Sequence, residues 1–318
     1  MTLALEIENL SVHYGGFKAL NNINIKLSAG TITGLIGPNG AGKTSLIKAI
    51  CGRTDISEGE ILIQGEPQST HSSRTRSIGL VPQDIALYPF LTARENLNIF
   101  AKYLSLPKAE RAEAVTTALE HVDMSAKANT RIEHMSGGMK RRINVAAAIM
   151  HNPALLILDE PTAGVDTPAR DAIHGLLKKL AAQGMTIILV THELDEVEHY
   201  CDHILFLAKG AVLAHASGSQ ILTHAFGDKR EVVVDFAQPP LPAHRQILQT
   251  FALREGAVPT RWQLFTPINN DEYLTQLIKT TETLQPAIRD VSIRRPNLYR
   301  LMEIVEKTGQ FPSDRNKL

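Results

Sequence analysis

The stretch Gly37-Pro38-Asn39-Gly40-Ala41-Gly42-Lys43-Thr44 has the residue types and spacing that cradle a chain of phosphates. Glycines let the backbone turn tightly and aim successive N–H groups at an anion. The start of a helix adds about half a positive charge at the same point. Lys43 has the reach for β- and γ-phosphates, and the Thr44 hydroxyl is a ligand for Mg²⁺. The flanks suit this chemistry. Thr31–Ile36 is apolar and strand-like, and Thr44–Ile50 reads as the opening of a helix. A nucleoside triphosphate site is predicted here.

A second element carries complementary chemistry. Leu155-Leu156-Ile157-Leu158-Asp159-Glu160 reads as a buried strand whose end delivers two carboxylates. Asp159 offers oxygen to a Mg²⁺ shell. Glu160 follows directly, so strand alternation would point it away from Asp159 and toward an attacking water. Ser136-Gly137-Gly138-Met139-Lys140-Arg141-Arg142 adds a helix start with a capping serine and two glycines that leave backbone N–H groups unobstructed.

The elements that must position these groups alternate along the chain. Residues 3–36 read as short strands, followed by strands at Gly59–Ile63 and Ile78–Val81. From about 88 to 150 the pattern is helical. Thr92 with Glu95 makes a capping box for a helix to Leu104, Pro107 opens a second helix to Val122, and Ser136 heads a third. Strand–helix alternation then resumes with Ala154–Leu158, Thr167–Ala181, Thr186–Val190 and Glu193–Tyr200, closed by a hairpin around Lys209-Gly210. Such alternation predicts a mainly parallel α/β sheet with its ligand at the strands' carboxyl ends. Residues 1–217 are read as this nucleotide-binding domain, 218–229 as a linker, 230–309 as a small α+β domain of ferredoxin-like character, and 310–318 as a disordered tail.

Composition bounds the partners. Lys+Arg and Asp+Glu both number 33, so no excess charge points to nucleic acid or an anionic membrane. No apolar run approaches the ~20 residues of a membrane span, and the N-terminus lacks the basic and apolar regions of a signal peptide. The expected location is therefore cytoplasmic. The 2 cysteines, Cys51 and Cys201, fit no metal or redox spacing and are expected as buried thiols, with a disulfide between them as the alternative. His199 and His203 lie four apart near Cys201, a metal-like spacing. A helix-to-strand connection broken by Asp202 is the stronger reading of that segment.

Taken in order, Tyr14, Gly37–Thr44, Gln83, Ser136–Gly138, Asp159-Glu160 and His192 resemble the nucleotide-binding subunit of ATP-binding cassette transporters over about residues 3–217. The resemblance implies a P-loop NTPase (RecA-like) core with antiparallel β and helical subdomains, binding ATP and Mg²⁺. It implies a head-to-tail homodimer, or a pseudo-dimer with a paralogous cassette. Each ATP would then lie between one copy's P-loop and the other's Ser136-Gly137-Gly138. Tyr14 would stack on adenine. Gln83 would bind Mg²⁺ or water and report nucleotide state to an integral membrane permease, docked around Asp84–Arg94. Glu160 would be the general base, His192 would position the γ-phosphate and water, and Asp166 would lie at the dimer contact.

Two departures from the family pattern stand out. Met139 replaces the usual glutamine of the signature, and Thr44-Ser45 reverses the commoner Ser-Thr order, leaving a hydroxyl for the metal either way. The Met139–Arg142 run and the tail Arg294-Arg295-Pro296-Asn297-Leu298 resemble exporter subunits, although Tyr299-Arg300 stand where that branch carries two acids. An importer subunit shares every catalytic residue and is the alternative. A soluble cassette ATPase fits less well, since the chain holds one cassette and no long coiled coil between Gln83 and Ser136.

Overall fold

In a computed structural model, residues 2–68, 77–256, 258–283 and 287–312 are described. The chain divides into two compact units, Met1–Gly218 and Ser219–Leu318.

The first unit holds two sheets. Strands β1 (Leu3–Tyr14), β2 (Phe17–Ser28), β4 (Glu58–Ile63) and β5 (Glu66–Pro67) form an antiparallel sheet in the order β2-β1-β4-β5. A six-stranded sheet runs β10-β9-β3-β8-β7-β6, from β10 (Ala211–Ala216) and β9 (His203–Ala208) through β3 (Ile32–Ile36), β8 (Thr186–Val190) and β7 (Leu155–Asp159) to β6 (Ile78–Val81). Every pairing in it is parallel except β9–β10. All five residues of β3 and of β8 are buried, as the continuous apolar runs require when a sheet is covered on both faces.

One covering layer is the antiparallel sheet with α1 (Lys43–Ile50), which share a core with Leu35, Leu155, Ile157, Ile188 and Leu205. The other is helical: α2 (Ala93–Tyr103), α3 (Arg111–His121), α4 (Gly137–Ile149) and α5 (Thr167–Ala182) pack with Leu156, Leu158, Ile187 and Leu189. The Thr92–Glu95 capping box forms in full. Pro107 does not open the next helix. Residues 107–110 close a turn, Glu110 N–H to Pro107 C=O at 2.9 Å, and α3 begins at Arg111.

Helix α6 (Leu194–Tyr200) leads back to β9 through Asp202, whose carboxylate accepts from the Ile32 amide at 2.8 Å. That bond explains the break after Tyr200. His199 and His203 have separate contacts: His199 Nδ1 lies 2.7 Å from Asp195 C=O, and the His203 ring meets His215 edge-on. Both cysteines are free, and burial pushes their thiols up, Cys51 to about 11 and Cys201 to about 12.

The segment read as a linker is ordered. Gly218–Phe226 forms α7, and only two residues separate it from β11 (Lys229–Phe236). Ile221, Ala225 and Phe226 are buried on one side of this helix. The second unit continues with α8 (Pro242–Thr250), β12 (Arg254–Glu255), β13 (Arg261–Pro267), α9 (Asp271–Glu282), β14 (Ile288–Arg294) and α10 (Leu298–Thr308). Its antiparallel order β12-β13-β11-β14 with this β-α-β-β-α-β sequence is the split βαβ, ferredoxin-like arrangement. Trp262, Leu264, Val232, Val234 and Phe236 fill its core. Within the expected tail 310–318, residues 313–318 lie outside the described residues.

Candidate nucleotide site

The carboxyl ends of four neighbouring parallel strands supply the candidate residues. Strand β3 runs into Gly37–Thr44, β6 into Gln83, β7 ends at Asp159, and β8 leads to His192. This is where an open α/β sheet binds its ligand.

The phosphate loop has the backbone its glycines allow. Gly40 and Gly42 adopt φ 76° and 105°. A Cβ on Gly42 would lie 2.9 Å from Ala19 C=O, so the position is closed to a side chain by sterics as well as by φ. Gly42 caps α1, and Lys43 is its first residue. The Lys43 ammonium donates to Gly37 C=O at 2.6 Å and Pro38 C=O at 3.2 Å, which holds it across the loop. The loop also includes Pro38, Asn39 and Ala41, whose amide donates back to Pro38 C=O at 3.1 Å. Thr44 and Ser45 follow in the first turn of α1.

Tyr14 ends β1 at the tip of the β1–β2 hairpin and is 43% exposed. Its pKa is held below the usual tyrosine value, chiefly by hydrogen bonding with Thr54, with burial opposing and Ser45 and the Lys48 charge adding to it. The hairpin tip is thereby hung beside the start of α1.

The carboxylates behave differently from one another. Burial, followed by repulsion from Glu160, raises the Asp159 carboxyl above its ordinary value, with His192 and Lys43 partly opposing. Glu160 does not continue the pleat. It takes a left-handed conformation at φ 47°, its amide donating to Val190 C=O at 2.8 Å. Its direction is therefore set by this turn and not by strand alternation, and a non-glycine residue in that region is uncommon. Gln83 Nε2 donates to Glu160 Oε2 at 2.7 Å, and His192 Nε2 lies 3.1 Å from Glu160 Oε1. The structure thus brings Gln83, Glu160 and His192 into one cluster.

Ser136, Gly137 and Gly138 open α4 where it packs against the start of α5, which Asp166 caps. Ser136 Oγ accepts from the Met139 amide at 3.3 Å and caps α4. Gly138 is buried, and a Cβ there would lie 2.6 Å from Ala169 Cβ; Gly137 faces Val165. The second glycine is thus required for the approach of α4 to α5, beyond leaving an amide clear. Asp166 caps α5, accepting from the Ala169 amide at 3.0 Å.

Two α4 residues make contacts that the sequence did not announce. Arg141, 7% exposed, donates to Pro82 C=O at 3.2 Å, and Asn144 donates to Asp84 C=O at 3.4 Å. Both backbone neighbours of Gln83 are therefore held by the helix that Ser136 caps. Arg141 has its pKa lowered, chiefly by burial, with Asp84 and Glu160 opposing.

The donor set fits ATP with Mg²⁺. Hard oxygen donors (the Thr44 hydroxyl, the Asp159 carboxylate and the Gln83 amide) suit magnesium, which keeps several waters and shares phosphate oxygens. The ammonium and amide-lined loop suit phosphates. The fold and site define a P-loop nucleoside triphosphatase.

The profile of a family described as ABC transporter matches residues 20–163. The chain is 40% identical to the linearmycin resistance ATP-binding protein LnrL of Bacillus subtilis over 300 residues, covering 93% of this chain and 96% of that one. It is 36% identical to the Nod factor export ATP-binding protein I of Cupriavidus metallidurans, covering 75% and 80%. Among solved structures, cbiO1 from Clostridium perfringens, part of the transporter complex cbiONQ, aligns with a TM-score of 0.65 at 30% identity, covering 70% of this chain and 92% of that one. A dimeric cassette, MJ0796, bound to ADP and Pi, aligns with a TM-score of 0.58 at 27% identity, covering 67% and 98%. The chain belongs to the ABC transporter family and is an ATP-binding subunit whose ATP hydrolysis is coupled to transport. Subunits of this kind pair with one another and serve separate membrane subunits. No helix among the described residues is long and apolar enough to cross a membrane.

Proposed function

We propose that this chain powers export through a separate integral membrane permease, as a homodimer or beside a paralogous cassette, at the cytoplasmic face of the membrane. The relatives named for linearmycin resistance and Nod factor export support the direction of transport. The observation that carries the catalytic reading is the convergence of Gln83 and His192 on the two oxygens of Glu160.

In this reading Lys43 and the loop amides of Gly37–Thr44 bind the β- and γ-phosphates of ATP, and Tyr14 stacks on adenine. Thr44, Asp159 and Gln83 hold Mg²⁺, which when bound neutralises charge on the phosphates. Glu160 accepts a proton from the attacking water, its carboxylate held between Gln83 and His192. His192 orients that carboxylate and the γ-phosphate. Ser136, Gly137 and Gly138 of a second copy complete the γ-phosphate contacts, with Asp166 at the same dimer contact.

The permease docks beside Gln83. Tyr88, Phe90 and Tyr103 are exposed at 54%, 73% and 81% along the segment that follows it and on α2. Large exposed aromatics near a loop tied to the base give a route from ATP state to the membrane partner. The test is ATP-dependent efflux from vesicles containing this chain and its co-purified permease. Uptake into cells or no polytopic partner at all would overturn the export reading.

A further inference from the structure

Outside the nucleotide contacts, the first unit buries a carboxylate that the reaction as described does not use. Glu196, on α6, is 3% exposed. A buried carboxylate is costly unless its oxygens are satisfied, and these have four neighbours. Oε2 accepts from Thr162 Oγ at 3.0 Å and from Thr191 Oγ at 3.2 Å. Oε1 lies 3.4 Å from Arg170 Nε and 3.4 Å from His174 Nε2, both on α5. His174 is itself clamped, its ring stacked on Tyr200 with centroids 3.9 Å apart. Burial pushes the Glu196 carboxyl up, but the nearby His174, the Thr162 hydrogen bond and the charge of Arg170 more than offset it and hold it below the ordinary glutamate value.

The partners' positions in the chain give this node its meaning. Thr162 lies two residues beyond Glu160, and Thr191 immediately precedes His192. Arg170 donates its amide to Asp166 C=O at 2.9 Å, in the first turn of α5. One carboxylate oxygen therefore joins the loop after β7 to the loop after β8. Glu160 and His192 sit on those two loops, 3.1 Å apart.

We propose that Glu196 is a positioning residue: it locks the Thr162 and Thr191 loops together so that His192 meets the Glu160 carboxylate. The inference rests on the proposed roles of Glu160 and His192. Glu196 touches the two loops and none of Gly37–Thr44, so it acts on the geometry of the reacting groups and leaves ATP binding alone. Misplacing a reacting group by about 1 Å costs on the order of 100-fold in rate.

The experiment uses the full-length chain with Mg-ATP. Glu196→Gln keeps the volume but replaces a two-sided acceptor by a group with one acceptor oxygen. The expected result is an ATP Kd within about twofold of wild type and a kcat lower by about 10- to 100-fold. In a His192→Ala background the same change should cost less than about threefold, because the geometry it protects is already gone. Thr191→Val and Thr162→Val, each removing one hydroxyl, serve if Glu196→Gln does not fold, and each should lower kcat without raising Kd.

A kcat within about twofold of wild type in the folded variants, an equal loss in both backgrounds, or a loss carried by Kd overturns the inference. Wild-type turnover in Glu160→Gln and His192→Ala controls would instead bring down the reading of the site, and this inference with it.

Discussion

Gln83 Nε2 donates to Glu160 Oε2 at 2.7 Å across a separation of 77 positions in the chain. The bond links the end of β6 to the end of β7, and the Pro82 and Asp84 carbonyls beside Gln83 are held by Arg141 and Asn144 of α4. Hydrogen bonds thus run from α4 through the Gln83 segment to the carboxylate assigned to the water. The helix capped by Ser136, the loop at the proposed permease surface and the proposed base form one connected path.

Glu160→Gln should bind ATP with near wild-type affinity and lose turnover by about 10²- to 10⁴-fold, the usual weight of a general base. Phosphate release and equilibrium nucleotide binding measure the two separately. Turnover at the wild-type rate would remove Glu160 from the chemistry.

Lys43→Ala removes the ammonium that spans the Gly37 and Pro38 carbonyls. A charge-assisted bond to phosphate is worth about 1.5–3 kcal/mol, so ATP affinity should fall by about tenfold or more. Titration calorimetry on the full chain reads this directly, and an unchanged Kd would contradict the loop assignment.

Arg141→Met tests the path from α4 to Gln83. The substitution fills the space but leaves Pro82 C=O without its donor, a cost of about 1–3 kcal/mol. The expected outcome is a lower Tm with ATP-dependent turnover reduced and ATP affinity kept. Full activity at full stability would mean that the contact is incidental.

Asp159 gives a pH signature with a definite sign. Its folded pKa is raised by burial, so the native state binds more protons than the unfolded one between the two values, and stability falls as pH rises through that window. Asp159→Asn should therefore raise the nucleotide-free Tm at pH 7, and the gain should fade once pH drops below the ordinary carboxylate range. Thermal scans across pH check this, and a destabilised Asn variant at pH 7 would reverse the assigned cause. The same variant should lose Mg²⁺-dependent hydrolysis.

In the second unit, Glu231 is 1% exposed and lies 2.7 Å from Arg300 and 3.1 Å from Arg294. Arg300→Ala should destabilise the unit by about 1–3 kcal/mol, since it removes the cation beside Glu231 Oε1 while Arg294 stays on Oε2. Pairing it with Glu231→Gln should recover much of the loss, as seen in a thermal melt of the full chain. Additive destabilisation would show that the two groups do not depend on each other. Arg300 stands where the exporter pattern carries an acid, and Glu231 supplies the opposite charge from the neighbouring strand.

The parts legible in the sequence were those written in consecutive residues. Gly37–Thr44, the Thr92–Glu95 box and the Ser136 cap each follow from local backbone geometry, which a short stretch dictates wherever it sits. The linker reading of 218–229 failed because three buried residues in one helix, Ile221, Ala225 and Phe226, are too few to show a period amid polar neighbours. Pro107 misled for a related reason: a proline suits a first helical turn but also suits the turn before it.

Sequence alone determined that a glycine loop would join an apolar strand to a helix start, because strand, loop and helix start are contiguous. Tertiary structure decided which groups meet there. The contacts of Glu160 with Gln83 and His192, and the burial of Glu196 between Thr162 and Thr191, depend on β6, β7 and β8 lying side by side in parallel. Strand order in a sheet is fixed by the packing of its two faces, and no local run of residues records which strand will be its neighbour.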